Sequence, residues 1–197
     1  IIATHNKHKV EEFSRILAPL GVTIRTAALT EAEETGTTFR ENAYLKAKSA
    51  CDETGLPTIA DDSGLSVDAL DGAPGVYSAR YAPEGQRKQT VLQKLENVPD
   101  DKRGAHFTSA ICCVFPNGDV LEAEGRCYGS IAHECRGAGG FGYDPIFLCA
   151  EEGCAGKTSG EASPEEKDAV SHRGRSLRLF VEKLENYLKD KGEKELC

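Results

Sequence analysis

Asp61-Asp62-Ser63-Gly64 sets two adjacent carboxylates, a hydroxyl and a conformationally permissive glycine in consecutive positions. Thr58-Ile59-Ala60 before them is β-prone and apolar and predicts the end of a buried strand. Leu65, Val67 and Ala69 alternate with Ser66 and Asp68 and predict a second strand. Neighbouring residues of a strand point to opposite faces, so one aspartate can face a cleft while the other braces the turn. A plain Asp-Ser-Gly turn is the simpler account of the same residues. The chemical account draws on what accompanies the pair: a basic loop at Thr4-His5-Asn6-Lys7-His8-Lys9, an acidic pair at Glu33-Glu34, and Lys167, His172 and Arg173 late in the chain. Carboxylates for a hard metal together with cations for phosphate point to phosphoryl chemistry.

The elements that must position these groups follow from periodicity. Ile1-Ile2-Ala3 reads as the end of a buried strand, and Val10, Phe13, Ile16, Leu17 and Leu20 predict a helix from about Lys7 to Pro19. The intervening loop therefore leads into a helix N-terminus, whose unpaired N–H groups and partial positive charge suit phosphate, with Lys7 and Lys9 adding full charges. The glycines and Gly-Lys-Ser/Thr ending of a Walker loop are absent. Val22 to Ile24 predicts a short strand. Thr38-Phe39-Arg40-Glu41 is a capping box opening a second helix, with Ala43, Ala47, Ala50 and Cys51 as a small-residue face and Lys46 about one and a half turns in. Val91, Leu92 and Leu95 mark a third helix. His106 to Phe115 and Val120 to Cys127, joined by Pro116-Asn117-Gly118-Asp119, predict a hairpin. Ser163-Pro164-Glu165-Glu166 starts a short helix carrying Lys167. A long closing helix begins at Ser171-His172-Arg173-Gly174, where cations oppose the macrodipole and invite an anion or a base. Parallel-type units with an antiparallel excursion indicate a mixed α/β sheet.

With 197 residues, one domain is expected. Hydrophobic content of 39% and charged content of 28% are those of an ordinary soluble protein, and a net charge of −8 argues against sequence-independent binding of nucleic acid, so any anion site must be local. No apolar run approaches about 18 residues, so no membrane span is expected, and no secretory leader pattern is visible. The opening Ile1-Ile2-Ala3 lacks Met, so a few leading residues are expected before it. None of the eight cysteines forms Cys-x-x-Cys, and adjacent Cys112 and Cys113 would point to opposite faces of a strand. Free thiols, several of them small core residues, are preferred to a zinc site or a disulfide framework, which implies a reducing cytoplasm.

Gly137-Ala138-Gly139-Gly140-Phe141-Gly142 matches G-x-G-x-x-G letter for letter, but Tyr143-Asp144-Pro145 follows and Pro145-Ile146-Phe147 predicts a strand where a dinucleotide site needs a helix. The glycines instead let backbone approach a flat ligand, with Phe141 or Tyr143 available to stack.

Seven pieces in one order carry a resemblance: Thr4-His5-Asn6-Lys7-His8-Lys9, Glu33-Glu34-Thr35-Gly36, Thr38-Phe39-Arg40-Glu41-Asn42-Ala43, Ala60-Asp61-Asp62-Ser63-Gly64-Leu65, Gly75-Val76-Tyr77-Ser78-Ala79-Arg80-Tyr81, Gly139-Gly140-Phe141-Gly142-Tyr143-Asp144-Pro145 and Ser171-His172-Arg173. Over essentially its whole length the chain resembles the inosine triphosphate pyrophosphatase family in its bacterial-type dITP/XTP form. Lys7 and His8 depart from the small residues common in that family's first loop. The resemblance implies an α/β fold, an elongated mixed sheet flanked by helices with two lobes around a central nucleotide cleft, and a single catalytic domain over 1–197. It also implies a homodimer, and hydrolysis of ITP, dITP or XTP to the monophosphate and pyrophosphate. By the same resemblance Asp62 is general base and magnesium ligand, with Glu33 or Glu34 as further ligand. The Thr4–Lys9 loop (Thr4, His5, Asn6, Lys7, His8, Lys9) and Lys46 hold phosphates. Ser63, Phe141, Gly142, Tyr143, Asp144, Lys167, His172 and Arg173 hold the nucleotide.

The chemistry stands without the family. Magnesium takes one or two carboxylates plus phosphate oxygens and water, lysines neutralise charge on the leaving pyrophosphate, and a carboxylate beside the metal orients or deprotonates water. Spacing alone does not choose between Asp61 and Asp62. A phosphohydrolase releasing orthophosphate and a nucleotide-binding regulator without turnover are the alternatives. The acidic pair speaks against the second, because phosphate binding gains nothing from it unless metal is present.

Overall fold

A computed structural model describes residues 1–4, 6–18, 24–27 and 29–192. In chain order it contains helices α1 (Lys7–Leu17) and α2 (Phe39–Thr54), strand β1 (Thr58–Val67), helix α3 (Arg87–Lys94), strands β2 (Gly104–Val114), β3 (Val120–Ile131) and β4 (Phe147–Cys149), and helices α4 (Pro164–Val170) and α5 (His172–Lys191). The strands form one sheet in the order β1-β2-β3-β4, with β3 and β4 antiparallel through Gly129–Cys149, Ser130–Leu148 and Ile131–Phe147. Ile2 adds parallel bridges to Thr26 and Ile59, so the pairing is mixed as expected. Val22, Pro19 and Leu20, on which the second strand and the end of the first helix were placed, lie outside the described residues. No helix among the described residues is long and apolar enough to cross a membrane.

The chain divides into two compact units, residues 1–62, 109–125 and 173–197 in the first and 63–108 and 126–172 in the second. In the first, strand alternation sorts the core into two layers. On one face Ala60, Ala110, Cys112 and Val114 pack against Ala43, Ala47 and Cys51 of α2. On the other, Ile59, Ile111, Cys113 and Phe115 pack against Phe13 and Leu17 of α1 and Leu177, Phe180 and Val181 of α5. The small-residue face of α2 is what the sequence predicts, and its start is too. Thr38 and Glu41 form the capping box, and Gly55 closes the helix in the left-handed region at φ +66°. In the second unit Leu65, Val67, Val91, Leu95, Phe107, Ile131, Ile146 and Phe147 form the core. The buried Arg103 guanidinium there is satisfied by the carbonyls of Leu95, Ile131 and Ala132 at 2.6, 2.7 and 2.8 Å.

Two expectations change. Asp61-Asp62-Ser63-Gly64 makes no turn; β1 passes through it as one ten-residue strand. Both aspartate side chains meet cations and amides brought by helices, so no turn is needed to return them to water. The cysteines are not all thiols. Cys149 and Cys154 form a disulfide across a short loop, while Cys51, Cys112 and Cys113 remain buried thiols and Cys135 an exposed one. Cys112 and Cys113 do point to opposite faces. Burial pushes both of their thiols up to about 12.

In folded protein near neutral pH, a thiol-alkylating reagent should label Cys135 quickly and Cys112 and Cys113 only on unfolding. A non-reducing peptide map should show the Cys149–Cys154 link. Fast labelling of Cys112 or Cys113 would contradict the packed centre of β2.

Candidate active site

In the first unit the charged groups are organised by β1. Asp61 is buried on the α1/α5 face, where Lys9 Nζ lies 3.0 and 2.9 Å from its two oxygens and Arg173 Nη2 lies 3.4 Å from Oδ2. Arg173 also pairs with Glu12, itself buried on α1. Lys9 and Glu12 stand three residues apart on one helix and so share a face. Burial alone would push the Asp61 carboxyl up; Lys9, then Arg173 and Lys46, outweigh it and hold the carboxyl well below the usual carboxylate range.

Asp62 points the other way. Its Oδ2 accepts from Asn42 Nδ2 at 3.1 Å, and its Oδ1 lies 3.3 Å from Lys46 Nζ. Lys46 also donates to Glu34 Oε1 at 2.7 Å. Fully buried Asn42 turns its other end to the acidic loop, with Oδ1 accepting from Gly36 N at 2.8 Å. A Cβ at Gly36 would collide with that same oxygen, so glycine permits the approach. Burial first, and Glu34 with it, raise the Asp62 carboxyl against the pull of Lys46. For Lys46, burial is outweighed by Asp62, Asp61 and Glu34, which raise it and keep it cationic.

At the start of α1, Asn6 is the N-cap. Its Oδ1 accepts from the N–H groups of His8 and Lys9 at 3.0 and 3.3 Å, and its own N–H donates to Thr4 Oγ1 at 3.2 Å. Two of the N–H groups expected for phosphate are thus capped. Lys7 and His8 are exposed, His8 Nδ1 standing 3.8 Å from Glu11 Oε2, whereas Lys9 is turned onto Asp61. His5 lies outside the described residues. Glu34 joins the cluster and Glu33 is exposed. Ser63 is half-buried on β1.

Among the described residues no group of three or more His, Cys, Asp or Glu side chains is arranged to hold a metal ion. Magnesium asks for fewer protein ligands, one or two carboxylates, the rest being water and phosphate. Glu34 and Asp62 converge on one ammonium nitrogen, and burial leaves Asp62 short of positive charge, so this donor set fits a hard cation.

The second unit collects a different set. Asp144 Oδ2 accepts from Lys167 Nζ at 2.9 Å and from the Phe141 N–H at 2.7 Å. Lys167 Nζ stands 4.8 Å from the centroid of the Phe141 ring, which is partly exposed. Gly140, at φ +67°, has no room for a Cβ against the Asp144 side chain, and Gly142 is also left-handed at φ +60°. His172 is buried and stacked on Phe107, with ring centroids 4.7 Å apart. A small cavity with a mainly apolar lining, Phe107, Cys127, Ala162 and Val170 among it, also takes in Asp144, Lys167 and His172. Of the two aromatic candidates for stacking, Tyr143 is turned inward, 5% exposed, with its hydroxyl donating to Ser78 O at 2.9 Å, so only Phe141 presents a face.

Lys167 and His172 belong to the second unit and Arg173 to the first. Lys167 and His172 line a cavity of the second unit, and Arg173 is held at 1% exposure among carboxylates of the first. Sequence reasoning missed Glu12, Asn42 and Ser78. An acidic residue beside Phe13 on the apolar face of α1 was the signal for Glu12. Asn42 gave none beyond its place after the capping box.

A model of the Ham1 family matches residues 1–183. The chain belongs to the Ham1 family. The dITP/XTP pyrophosphatase of Photorhabdus laumondii is 49% identical over 197 aligned residues, 94% of this chain and 98% of that protein. The dITP/XTP pyrophosphatase of Escherichia coli O157:H7 is 48% identical, again over 94% and 98%. The solved structure of a HAM1 protein from Coxiella burnetii has a TM-score of 0.82 at 40% identity, covering 94% of this chain and 97% of that one. A Ham1 protein from Staphylococcus aureus scores 0.79 at 36% identity, with the same coverage. The mixed α/β architecture is thus that of other Ham1 proteins.

Arg173→Ala should destabilise the fold by about 3–5 kcal/mol, because it leaves the Glu12 and Asp61 carboxylates buried with less compensation. Denaturant unfolding at neutral pH checks it. A loss under about 1 kcal/mol would show that the triad is not held as described.

Proposed function

We infer that this Ham1 protein hydrolyses noncanonical purine nucleoside triphosphates (ITP, dITP, XTP) to the monophosphate and pyrophosphate, and so clears them from the nucleotide pool. The observation that carries this reading is the Asp62–Lys46–Glu34 cluster, in which a carboxylate raised by burial stands beside a lysine kept cationic. The names borne by the relatives of nearly equal length support the same substrates.

In this reading Asp62 orients a water molecule and accepts its proton as the oxygen adds to phosphorus, and the bond between the α-phosphoryl group and the departing pyrophosphate breaks. Lys46, with Lys7, His8, His5, Asn6 and Thr4 of the first loop, meets the phosphates and the charge that grows on the leaving group, and Lys9 contributes from its place against Asp61. Magnesium, held by Asp62 and Glu34 (or Glu33), supplies further neutralisation of phosphate charge when bound. Asn42 keeps the Asp62 carboxylate in one orientation through its hydrogen bond. Phe141 stacks on the purine. Gly142 gives backbone room, and Ser63, Tyr143, Asp144, Lys167, His172 and Arg173 complete the nucleotide set, Tyr143 and Arg173 by holding other groups in place.

Lys167 favours an oxygen at C6 of the base, because an ammonium has donors only and offers nothing to adenine's amino group. The family match takes in both units, which supports reading 1–197 as one nucleoside triphosphate pyrophosphatase domain. A homodimer and a cytoplasmic location rest on the resemblance and on the mostly unbridged cysteines, and light scattering in solution tests the first.

With ITP and magnesium, the expected products are inosine monophosphate and pyrophosphate in equal amounts. Orthophosphate as the first product would favour the other phosphohydrolase reading, and binding without turnover the regulator.

Asp62→Asn keeps the shape and removes the charge. Turnover should fall at least ~100-fold while the circular dichroism spectrum is unchanged. Near-normal turnover would remove Asp62 from the chemistry.

The ratio of kcat/KM for ITP over ATP should be large, up to ~10⁴, the range reached when a site's donors are left unpaired by the wrong substrate. Equal values would mean that Lys167 does not read the base.

A further inference from the structure

The motif Gly75-Val76-Tyr77-Ser78-Ala79-Arg80-Tyr81 has no role in the chemistry above, yet its one buried polar side chain is fully engaged. Residues Gly75–Tyr77 make a turn of 3₁₀ helix, and Ser78 follows it at 6% exposure. Ser78 Oγ donates to Gly75 O at 2.7 Å and accepts the N–H of Leu65 at 2.9 Å. Leu65 sits on β1 three residues after Asp62. The Ser78 carbonyl accepts the Tyr143 hydroxyl at 2.9 Å. Tyr143 in turn begins the turn Asp144–Ile146 and stands between Phe141 and Asp144 in sequence. A single serine thus ties β1, by its backbone, to the segment that carries the ring face and the carboxylate.

The segment needs such a tie. Gly140 and Gly142 both sit at positive φ, and glycine there leaves the backbone many alternatives. Asp144 is fixed on one side by Lys167 and Phe141 N, and its carbonyl accepts from Gly160 N at 3.0 Å. The hydroxyl of Tyr143 adds a bond in another direction, to the turn that follows β1. Burial pushes that hydroxyl up to about 12, so it stays a donor at any working pH.

We propose that Ser78 and Tyr143 are a positioning pair that fixes the attitude of the Phe141–Asp144 segment and thereby the affinity and selectivity for the purine base. The proposal rests on the functional reading above, in which Phe141 and Lys167 meet the base. Tyr143 acts through Phe141 and Asp144 and touches no reacting atom.

Tyr143→Phe removes one hydroxyl and keeps the ring. The expected result is a KM for ITP raised roughly 3- to 10-fold, the factor carried by one net hydrogen bond, with kcat within about twofold and the ITP-over-ATP ratio reduced. Ser78→Ala removes the Oγ bonds instead and should move KM and the ratio in the same direction, which keeps the test available if one variant folds poorly. A lowered melting temperature with KM and the ratio unchanged in a folded variant would overturn the proposal and leave the pair a structural one. A fall in kcat with KM unchanged would also overturn it. Absence of ITP hydrolysis in the wild-type protein would instead refute the functional reading itself, and the two failures are told apart by that first measurement.

Discussion

Two adjacent carboxylates in the middle of a buried strand set the terms for the first unit. An unpaired buried carboxylate is costly, and a strand sends consecutive side chains to opposite faces. The two aspartates must therefore be answered from both sides of the sheet at once. Asp61 is answered by Lys9 at the start of α1 and Arg173 at the start of α5, Asp62 by Asn42 and Lys46 on α2. The surrounding apolar layers follow the same partition, with Ala60 and Cys112 on the α2 side and Ile59 and Cys113 on the other.

The two carboxylates are not equivalent, and their inequality comes from environment alone. Asp61 has two close cations, so its charge is secured and its role is to hold two helix starts against the strand. Asp62 shares Lys46 with Glu34 and is raised by burial, so it retains a demand for positive charge and a capacity for protons. Spacing in the chain could not separate the two, since they are neighbours of identical type. What separates them is which face each one meets.

The second unit uses one carboxylate in a comparable way. Asp144 draws together Lys167, the Phe141 N–H and, through its own backbone, Gly160. The glycines on either side of Phe141 give the backbone room to wrap that carboxylate, which explains a glycine-rich run with no dinucleotide helix after it. The aromatic residue that turns inward, Tyr143, does so because its hydroxyl finds a buried carbonyl.

Much of this architecture was legible in the chain. The capping boxes at Thr38–Glu41 and Ser163–Glu166, the alanine face of α2, the β2–β3 hairpin and the opposite-facing Cys112 and Cys113 all follow from local pattern, because each depends on residues within a few positions of one another. The single strand through Asp61-Asp62-Ser63-Gly64, the removal of Arg173 into a triad with Glu12 and Asp61, the bridging role of Asn42 and the Cys149–Cys154 bond were decided only by tertiary structure. Local propensity favoured a turn at the aspartates, and the cations at the start of α5 invited an anion without saying which. The turn was overridden and the anion supplied by the same electrostatic requirement, that charge removed from water be matched by charge or hydrogen bonds brought from elsewhere in the chain. The partners lie 112 and 161 residues apart for Arg173, a separation across which no local pattern carries information.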